Sequence, residues 1–245
     1  MSRNPVVAVV DAYGTARHLG PLLRERGYAL LLVRGPEAPP HEPDDGDPAA
    51  ELVCSERPEE LLGAVAAHRP VAVLTGAPSG AGLADLLSEG LGLAGNGTGL
   101  SAARDAGPLP GEGPVEGTFH VNTVSLDGRH HICDIWWAPR PPGADLWDPA
   151  GDVELLPRRG ERQDRLADAA FAALDVLRLR TGPAHCVFRS TPDGPRLMGV
   201  RPGIAGRLPL LARQALGAGQ LEWTVDAYVG PEWFRMRAGR DYGAY

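Results

Sequence analysis

The pattern of apolar and polar positions divides the chain into two parts, with the change near residue 105. Before that point, short continuous apolar runs alternate with stretches of helical spacing. The runs that predict strands are Val6–Val10, Ala29–Val33 and Val71–Leu74, and the stretches that predict helices are Ala16–Arg26, Pro58–His68 and Leu83–Leu91. Apolar strands that alternate with helices indicate a parallel sheet with crossover connections. We therefore expect residues 1–104 to form a Rossmann-like α/β half.

The second part of the chain has strands in pairs. Thr118–Leu126 and Arg129–Trp137 flank an Asp-Gly dipeptide, which suits the left-handed backbone of a tight hairpin turn. The further predicted elements are a helix at Gln163–Leu177, a hairpin of His185–Ser190 with Arg196–Val200, and helices at Ala205–Leu216 and Glu222–Val229. We expect residues 117–245 to form an antiparallel α+β half, joined to the first by a Gly- and Pro-rich linker at residues 105–116.

Composition narrows the class of protein and its compartment. The net charge of −7 and the isoelectric point near 5.5 argue against a nucleic-acid or anionic-membrane partner, because such partners bind a basic surface. No apolar run approaches the ~20 residues that a membrane-spanning helix needs. The three cysteines, Cys54, Cys133 and Cys186, are far apart and odd in number, as is typical of reduced thiols. We expect a cytoplasmic protein with no nucleic-acid or membrane partner.

The basic residues also limit the chemistry. All 24 of them are arginine, and the chain contains no lysine. A Schiff base, a lysine general base and a lysine on a nucleotide phosphate are therefore excluded.

Five sequence blocks, taken in order, resemble one superfamily. They are DAYGTARHLGPLLRERG at 11–27, TGAPSGAGLADL at 75–86, GNGTGLSAAR at 95–104, GTFHVNTVSLDGRHHICDIW at 117–136 and GPAHCVFRSTPDGPRLMGVRPGIAG at 182–206. The first three resemble the domain that precedes the core of ATP-grasp enzymes, and the last two resemble the core of the amino-acid carboxylate–amine ligases in that superfamily. The resemblance implies an ATP-grasp C-terminal half.

The chain departs from that superfamily where ATP and metal bind. The resemblance implies a lid subdomain with two lysines and a glycine-rich phosphate loop, in an interval that here holds residues 105–116 only. At the positions of the family's Mg²⁺ ligands this chain has Val187, Gly199 and Arg201, which supply no hard oxygen ligand. The family's acyl-phosphate arginine is Gly203 here, and its hairpin glutamate is Phe119. We expect a truncated, degenerate relative with no nucleotide cofactor and no metal.

Two residues of the second hairpin are candidates for a site. The resemblance places the family's metal ligand at the position of Val187. It therefore implies that His185, on the same strand face, lies toward the position of the family's substrate pocket. An imidazole there suits general acid–base catalysis, although an inert framework histidine fits the same position. Arg201 is a candidate for binding a substrate carboxylate through its planar guanidinium.

The first hairpin supplies the other candidates, and its pocket-lining face stays open. If Leu126 pairs with Arg129, Asp134 and Trp136 lie on one face, and Asn122 lies on the other. Asp134 is a candidate acid–base group, and Trp136 and Asn122 are candidates for substrate binding. A core tryptophan beside an ion-paired aspartate is the alternative. The second face also carries His120, His131 and Cys133, but no close-spaced metal motif accompanies them.

Two functions of different classes fit these residues. In the first, the chain binds an amino-acid-like or carboxylate metabolite of a biosynthetic pathway and promotes ATP-independent acid–base chemistry, such as cyclisation, elimination or isomerisation. In the second, it is a catalytically silent partner of an intact ligase or another pathway enzyme. We also expect a homodimer, because loss of the lid would uncover apolar surface on the hairpin 118–137.

Overall fold

A computed structural model describes residues 4–39, 48–54, 58–104, 117–139, 145–149, 151–191 and 194–238. The predicted linker at 105–116 lies outside the described residues. Within them, no helix is long and apolar enough to cross a membrane.

The first half contains a four-stranded parallel sheet. Its strands are β1 (Val6–Val10), β2 (Ala29–Arg34), β3 (Ala50–Val53) and β4 (Pro70–Thr75), and they lie in the order β3-β2-β1-β4. Its helices are α1 (Leu19–Glu25), α2 (Pro58–Ala67), α3 (Ala81–Gly90) and α4 (Ser101–Arg104). The predicted parallel α/β arrangement is confirmed. The edge strand β3 was not predicted, because it is short and half exposed and so has no continuous apolar run.

The second half contains a five-stranded antiparallel sheet. Its strands are β5 (Gly117–Leu126), β6 (Arg129–Pro139), β7 (Glu154–Leu155), β8 (Gly182–Thr191) and β9 (Gly194–Pro202), in the order β7-β6-β5-β8-β9. Its helices are α5 (Glu161–Val176), α6 (Leu208–Leu216), α7 (Gln220–Val229) and α8 (Pro231–Ala238). One sheet face packs on Leu166, Ala170 and Leu174 of α5, and the other packs on α7. The predicted antiparallel α+β arrangement is confirmed.

A β-bulge in the first hairpin corrects the predicted faces. Leu126 pairs with Arg129 as expected, but the register shifts between Asn122 and Thr123. Thr123 lies opposite Ile132, whereas Asn122 lies opposite Asp134, so β6 contains one extra residue. The prediction that Asn122 and Asp134 lie on opposite faces is therefore wrong. A strict period of two cannot anticipate an inserted residue, which turns the rest of the strand over.

Helix α7 joins the two halves through one apolar surface. Leu221 and Val225 belong to the cluster that includes β1 and α1. Trp223 and Ala227 pack instead on the hairpin of β5 and β6. A fully buried Asp226 on the same helix accepts from Arg26, directly after α1, at 2.5 Å. The helix therefore holds both sheets in a fixed relation.

The expected apolar surface on the first hairpin is covered within the chain. Every residue of β5 is buried. The two faces of the sheet are occupied by α5 and α7. The homodimer stays a prediction, but the exposed apolar surface on which it was based is covered by the chain's own helices.

A close backbone contact joins the second sheet to the first, between the residues after β9 and the turn after β4. The N–H of Ile204 donates to the carbonyl of Gly76 at 2.7 Å, and the N–H of Gly203 donates to Pro183 at 2.8 Å. Gly203 has a φ of +99°, and a Cβ there would lie 2.9 Å from the Gly76 carbonyl oxygen. Only glycine permits this approach without strain.

We predict that Gly203→Ala destabilises the protein by about 3 kcal/mol or more, because it combines an unfavourable φ with overlap against backbone. Gly217→Ala is the matched control: its φ is +74°, but nothing lies within 4 Å of the added Cβ. The control should lose only about 1 kcal/mol. Urea unfolding of both variants measures the difference. Equal losses would contradict the view that this contact holds the two halves together.

Candidate functional site

A cleft of about 1140 Å³ lies between the two halves. On one side it is lined by residues that follow β1 and β4, among them Tyr13 and Ser79. Strand order reverses at this point, since β1 connects to β2 on one side and pairs with β4 on the other. Ligands of open parallel sheets bind at the carboxyl ends of the strands at such a point. The cleft is therefore the candidate ligand site.

Three residues form a hydrogen-bonded set on the first wall of the cleft. Asp11 is buried at the end of β1 with a φ of 55°, a conformation that L-residues adopt rarely. Its Oδ1 accepts the N–H of Gly35 at 2.7 Å, and its Oδ2 accepts the hydroxyl of Ser79 at 2.5 Å. The hydroxyls of Ser79 and Tyr13 lie 2.7 Å apart. Backbone strain of this kind clusters at functional positions.

The facing wall carries Arg201, at the end of β9. Its guanidinium carbon lies 4.2 Å from the centre of the Trp147 ring, within cation–π range. Burial lowers the pKa of Arg201, and the nearby Asp145 and Tyr13 partly offset that effect. Asp145 also accepts the backbone N–H of Trp147 at 2.9 Å, which fixes the turn that presents the indole. This wall offers a cation on an aromatic surface.

Behind Trp147, a chain of buried polar side chains crosses the sheet. Beginning at Thr118, the successive distances are 2.9 Å from its Oγ1 to His120 Nε2, 3.1 Å from His120 Nδ1 to His185 Nε2, 2.7 Å from His185 Nδ1 to Asn122 Oδ1, and 2.6 Å from Asn122 Nδ2 to Asp134 Oδ1. The indole N–H of Trp136 also donates to Asp134 Oδ1, at 2.7 Å. All six side chains are less than 5% exposed.

From His120 to Asp134, each group of this hydrogen-bonded chain donates its hydrogen to the next. Asn122 uses its amide nitrogen on Asp134, so its oxygen accepts from His185 Nδ1–H. A neutral imidazole has one donor and one acceptor, so His185 Nε2 accepts from His120. Burial, followed by His120 and Arg201, lowers the pKa of His185 well below its ordinary value, which is consistent with a neutral ring. His185 is therefore a neutral imidazole within this hydrogen-bonded chain.

Asp134 is the last acceptor of this series of hydrogen-bonded side chains, and its carboxyl group has a raised pKa. Burial raises its pKa to about 7, against the opposing effect of the hydrogen bonds from Asn122 and Trp136. Its Oδ2 is buried and has no hydrogen-bond partner among the described residues. A protonated oxygen at this position removes the cost of burying an unpaired charge.

The sequence matches no known family profile and none of the curated proteins. Solved structures do match the fold. An L-amino acid ligase from Bacillus licheniformis has a TM-score of 0.73 at 13% identity, over 98% of this chain and 78% of that one. A phosphoribosylglycinamide synthetase from Anaerococcus prevotii has a TM-score of 0.66 at 10% identity, over 98% and 79%. An N5-carboxyaminoimidazole synthetase from Staphylococcus aureus, complexed with ADP, has a TM-score of 0.66 at 8% identity, over 94% and 78%.

The chain has the ATP-grasp fold. Identities of 8% to 13% establish that architecture alone, so the activity has to be argued from the residues of this chain.

The strand pair to which the resemblance assigned magnesium ligands does not fit the ion. Val187 and Gly199 lie opposite each other on β8 and β9. Val187 is buried in an apolar cluster with Leu146, Trp147 and Met198. Mg²⁺ requires hard oxygen ligands, which this cluster lacks, and Arg201 next to it is a cation. Among the described residues, no group of three His, Cys, Asp or Glu side chains is placed to hold a metal.

The structure separates the predicted site residues of this ATP-grasp fold into two sets. Arg201 lines the cleft. His185 is its cross-strand partner, but it is fully buried. The ring of Trp147 stands T-shaped to that of His185 at 6.1 Å and lies between it and the cleft. Asn122, Asp134 and Trp136 lie with His185 in the buried chain.

Several residues of the site were missed from the sequence. Trp147 lies in an irregular Pro-rich segment, where periodicity carries no information. His120 was considered only as a metal ligand. Asp11 and Tyr13 are distant in sequence from Ser79, although a polar residue at the end of each apolar run was a usable signal, because the carboxyl ends of parallel strands meet at one edge.

We predict that Asp134→Asn changes how stability depends on pH. A folded-state pKa of about 7, above the ordinary value of 3.8, means that the wild type keeps a proton that its unfolded state releases. Stability from this group is therefore lost as pH rises from about 4 to 7, by about 1.4 kcal/mol per unit. The difference in unfolding free energy between variant and wild type should change over that window and be constant above it. A difference independent of pH would contradict the assignment.

Proposed function

We propose that this chain binds an amino-acid-like or carboxylate metabolite in the cleft and promotes ATP-independent acid–base chemistry on it, as a cytoplasmic protein of a small-molecule biosynthetic pathway. The observation that carries the proposal is the position of Arg201, over Trp147 at the ends of β1 and β4. A guanidinium stacked on an indole keeps the N–H groups at its edge directed outward in one plane. That geometry suits bidentate binding of a carboxylate.

Loss of ATP-dependent ligation is part of the proposal. The chain has no lysine for a nucleotide phosphate, and apolar residues replace the expected metal ligands. In ATP-dependent phosphoryl transfer, metal ions and cations neutralise the charge that develops on the phosphates. In this proposal the guanidinium of Arg201 binds a carboxylate and, because it is a cation, does not bind a metal ion.

Acid–base chemistry by His185 requires movement of Trp147. The imidazole is fully buried, and both of its nitrogens are used in the polar chain. Tyr13 and Asp145 are the titratable groups that already line the cleft next to Arg201. In this proposal His185 and Asp134 exchange protons with the ligand only after the indole swings aside.

A silent-partner role is the second candidate, and helix α8 favours it. Trp233 and Met236 are 55% and 51% exposed and lie one helical turn apart. Exposed large apolar side chains at this spacing suit contact with another protein. In that case an intact ligase or another pathway enzyme is the partner, and the cleft has no catalytic role.

We predict that the protein does not bind Mg·ATP tighter than about 1 mM, the weak end of the affinity scale. Isothermal titration measures this, with an intact L-amino acid ligase titrated in parallel as the positive control. Micromolar affinity that depends on magnesium would contradict the proposal that the chain lacks ATP-dependent ligase chemistry.

We predict that Arg201→Ala weakens the binding of simple carboxylates about tenfold or more, because it removes a charge-assisted contact. Propionate, glutarate and 3-phenylpropionate are the probes. Arg196→Ala is the control: this arginine lies exposed on the same strand, away from the cleft. Calorimetry should show at least one probe bound by the wild type and the control. Equal affinities in the wild type and Arg201→Ala would contradict the carboxylate site.

A further inference from the structure

The hydrogen bonds of Asp11, Ser79 and Tyr13 have a fixed direction. A carboxylate has no hydrogen to donate, so Ser79 must donate to Asp11 across the 2.5 Å contact. A hydroxyl has one hydrogen, so Ser79 can only accept from Tyr13, whose hydroxyl lies 2.7 Å away. Tyr13 has therefore used its hydrogen, and its oxygen offers only lone pairs to the cleft.

The facing group has the opposite character. Arg201 carries only donors and lies near enough to Tyr13 for the two to interact electrostatically. The exposed carboxylate of Asp145, on the same wall as Arg201, adds a second acceptor. The cleft thus presents the hydrogen-bond donors of Arg201 beside two acceptors, the Tyr13 hydroxyl oxygen and the Asp145 carboxylate.

We propose that Asp11, acting through Ser79 and Tyr13, makes the cleft select carboxylates that also carry an ammonium group, so that the ligand is an amino acid and not a plain carboxylate. This inference rests on the proposed function, because it takes the carboxylate to lie on Arg201. The ammonium donates to Tyr13 and is attracted by Asp145. No group of Asp11 touches the ligand, so Asp11 is a positioning residue.

The surroundings of Asp11 are built for this carboxylate. A Cβ at Gly35 would lie 3.1 Å from Asp11 Oδ2, and a Cβ at Gly80 would lie 3.1 Å from Asp11 Cβ. A Cβ at Gly76 would lie 2.6 Å from the Asp11 backbone oxygen. Three glycines therefore leave room for one side chain in a strained conformation. A purely structural role needs only the bond to Gly35, which asparagine also makes.

Asp11→Asn separates the two roles because it reverses the hydrogen bonds. Asparagine tolerates a positive φ, so we expect the variant to fold. Its Oδ1 keeps the bond to Gly35, which directs the amide N–H₂ at Ser79. Ser79 then accepts from the amide and donates to Tyr13, and the Tyr13 hydrogen turns toward the cleft. The variant should repel an ammonium where the wild type accepts one.

The experiment compares matched pairs of probes by calorimetry. The pairs are L-alanine with propionate, L-glutamate with glutarate, and L-phenylalanine with 3-phenylpropionate. In the wild type, at least one amino acid should bind about tenfold tighter than its partner, the usual effect of a hydrogen bond to a charged group. Asp11→Asn should bring that ratio to about one or below. Tyr13→Phe, which removes the acceptor and needs no change at Asp11, should do the same.

The outcomes distinguish this inference from the proposed function. Arg201→Ala should weaken both members of a pair alike. If carboxylates bind through Arg201 but amino acids have no advantage, the selection of an ammonium is wrong while the proposed function stands. An advantage that survives in folded Asp11→Asn or in Tyr13→Phe, as checked by thermal unfolding, also overturns it. If none of the six probes binds, both fail.

Discussion

The site depends on one backbone contact, between the turn after β4 and the end of β9. Ile204 donates to the carbonyl of Gly76, and the missing side chain of Gly203 lets the two backbones approach to this distance. The contact aligns the carboxyl ends of β1 and β4 with the strand that carries Arg201. Each half alone supplies only one wall of the cleft. The cleft exists because two glycines, distant in sequence, allow the sheets to meet there.

Trp147 divides the polar residues of the second half into an outer and an inner layer. Arg201 lies on its cleft side, and His185 lies behind it. The inner layer is a hydrogen-bonded chain that contains the neutral His185 and ends at Asp134, a carboxyl with a raised pKa. Buried polar groups are stabilised when they are paired, and the hydrogen bonds along this chain restrict the movement of its side chains. The inner layer therefore fixes the sheet geometry that holds Arg201 in place.

The chain has the ATP-grasp fold, and the positions to which the resemblance assigned magnesium ligands are Val187, Gly199 and Arg201. Val187 has become part of a small cluster with Leu146, Trp147 and Met198. Burial of apolar area contributes about 25 cal/mol per Å², so such a cluster stabilises the strand pair without a metal. The same cluster positions Trp147 under Arg201. Apolar contacts of this strand pair therefore both stabilise the strands and position a residue of the cleft wall.

Local patterns in the sequence determined the two sheet types, most elements and the hairpin that carries His185, because strand periodicity and turn residues act over a few residues. The accessibility of His185, the face of Asp134 and the set of Asp11, Ser79 and Tyr13 were decided by tertiary structure. One extra residue in β6 turned Asp134 toward Asn122, and an irregular segment brought Trp147 over His185. Neither the bulge nor the irregular segment produces a periodic pattern in the sequence, because both are placed by packing against distant residues.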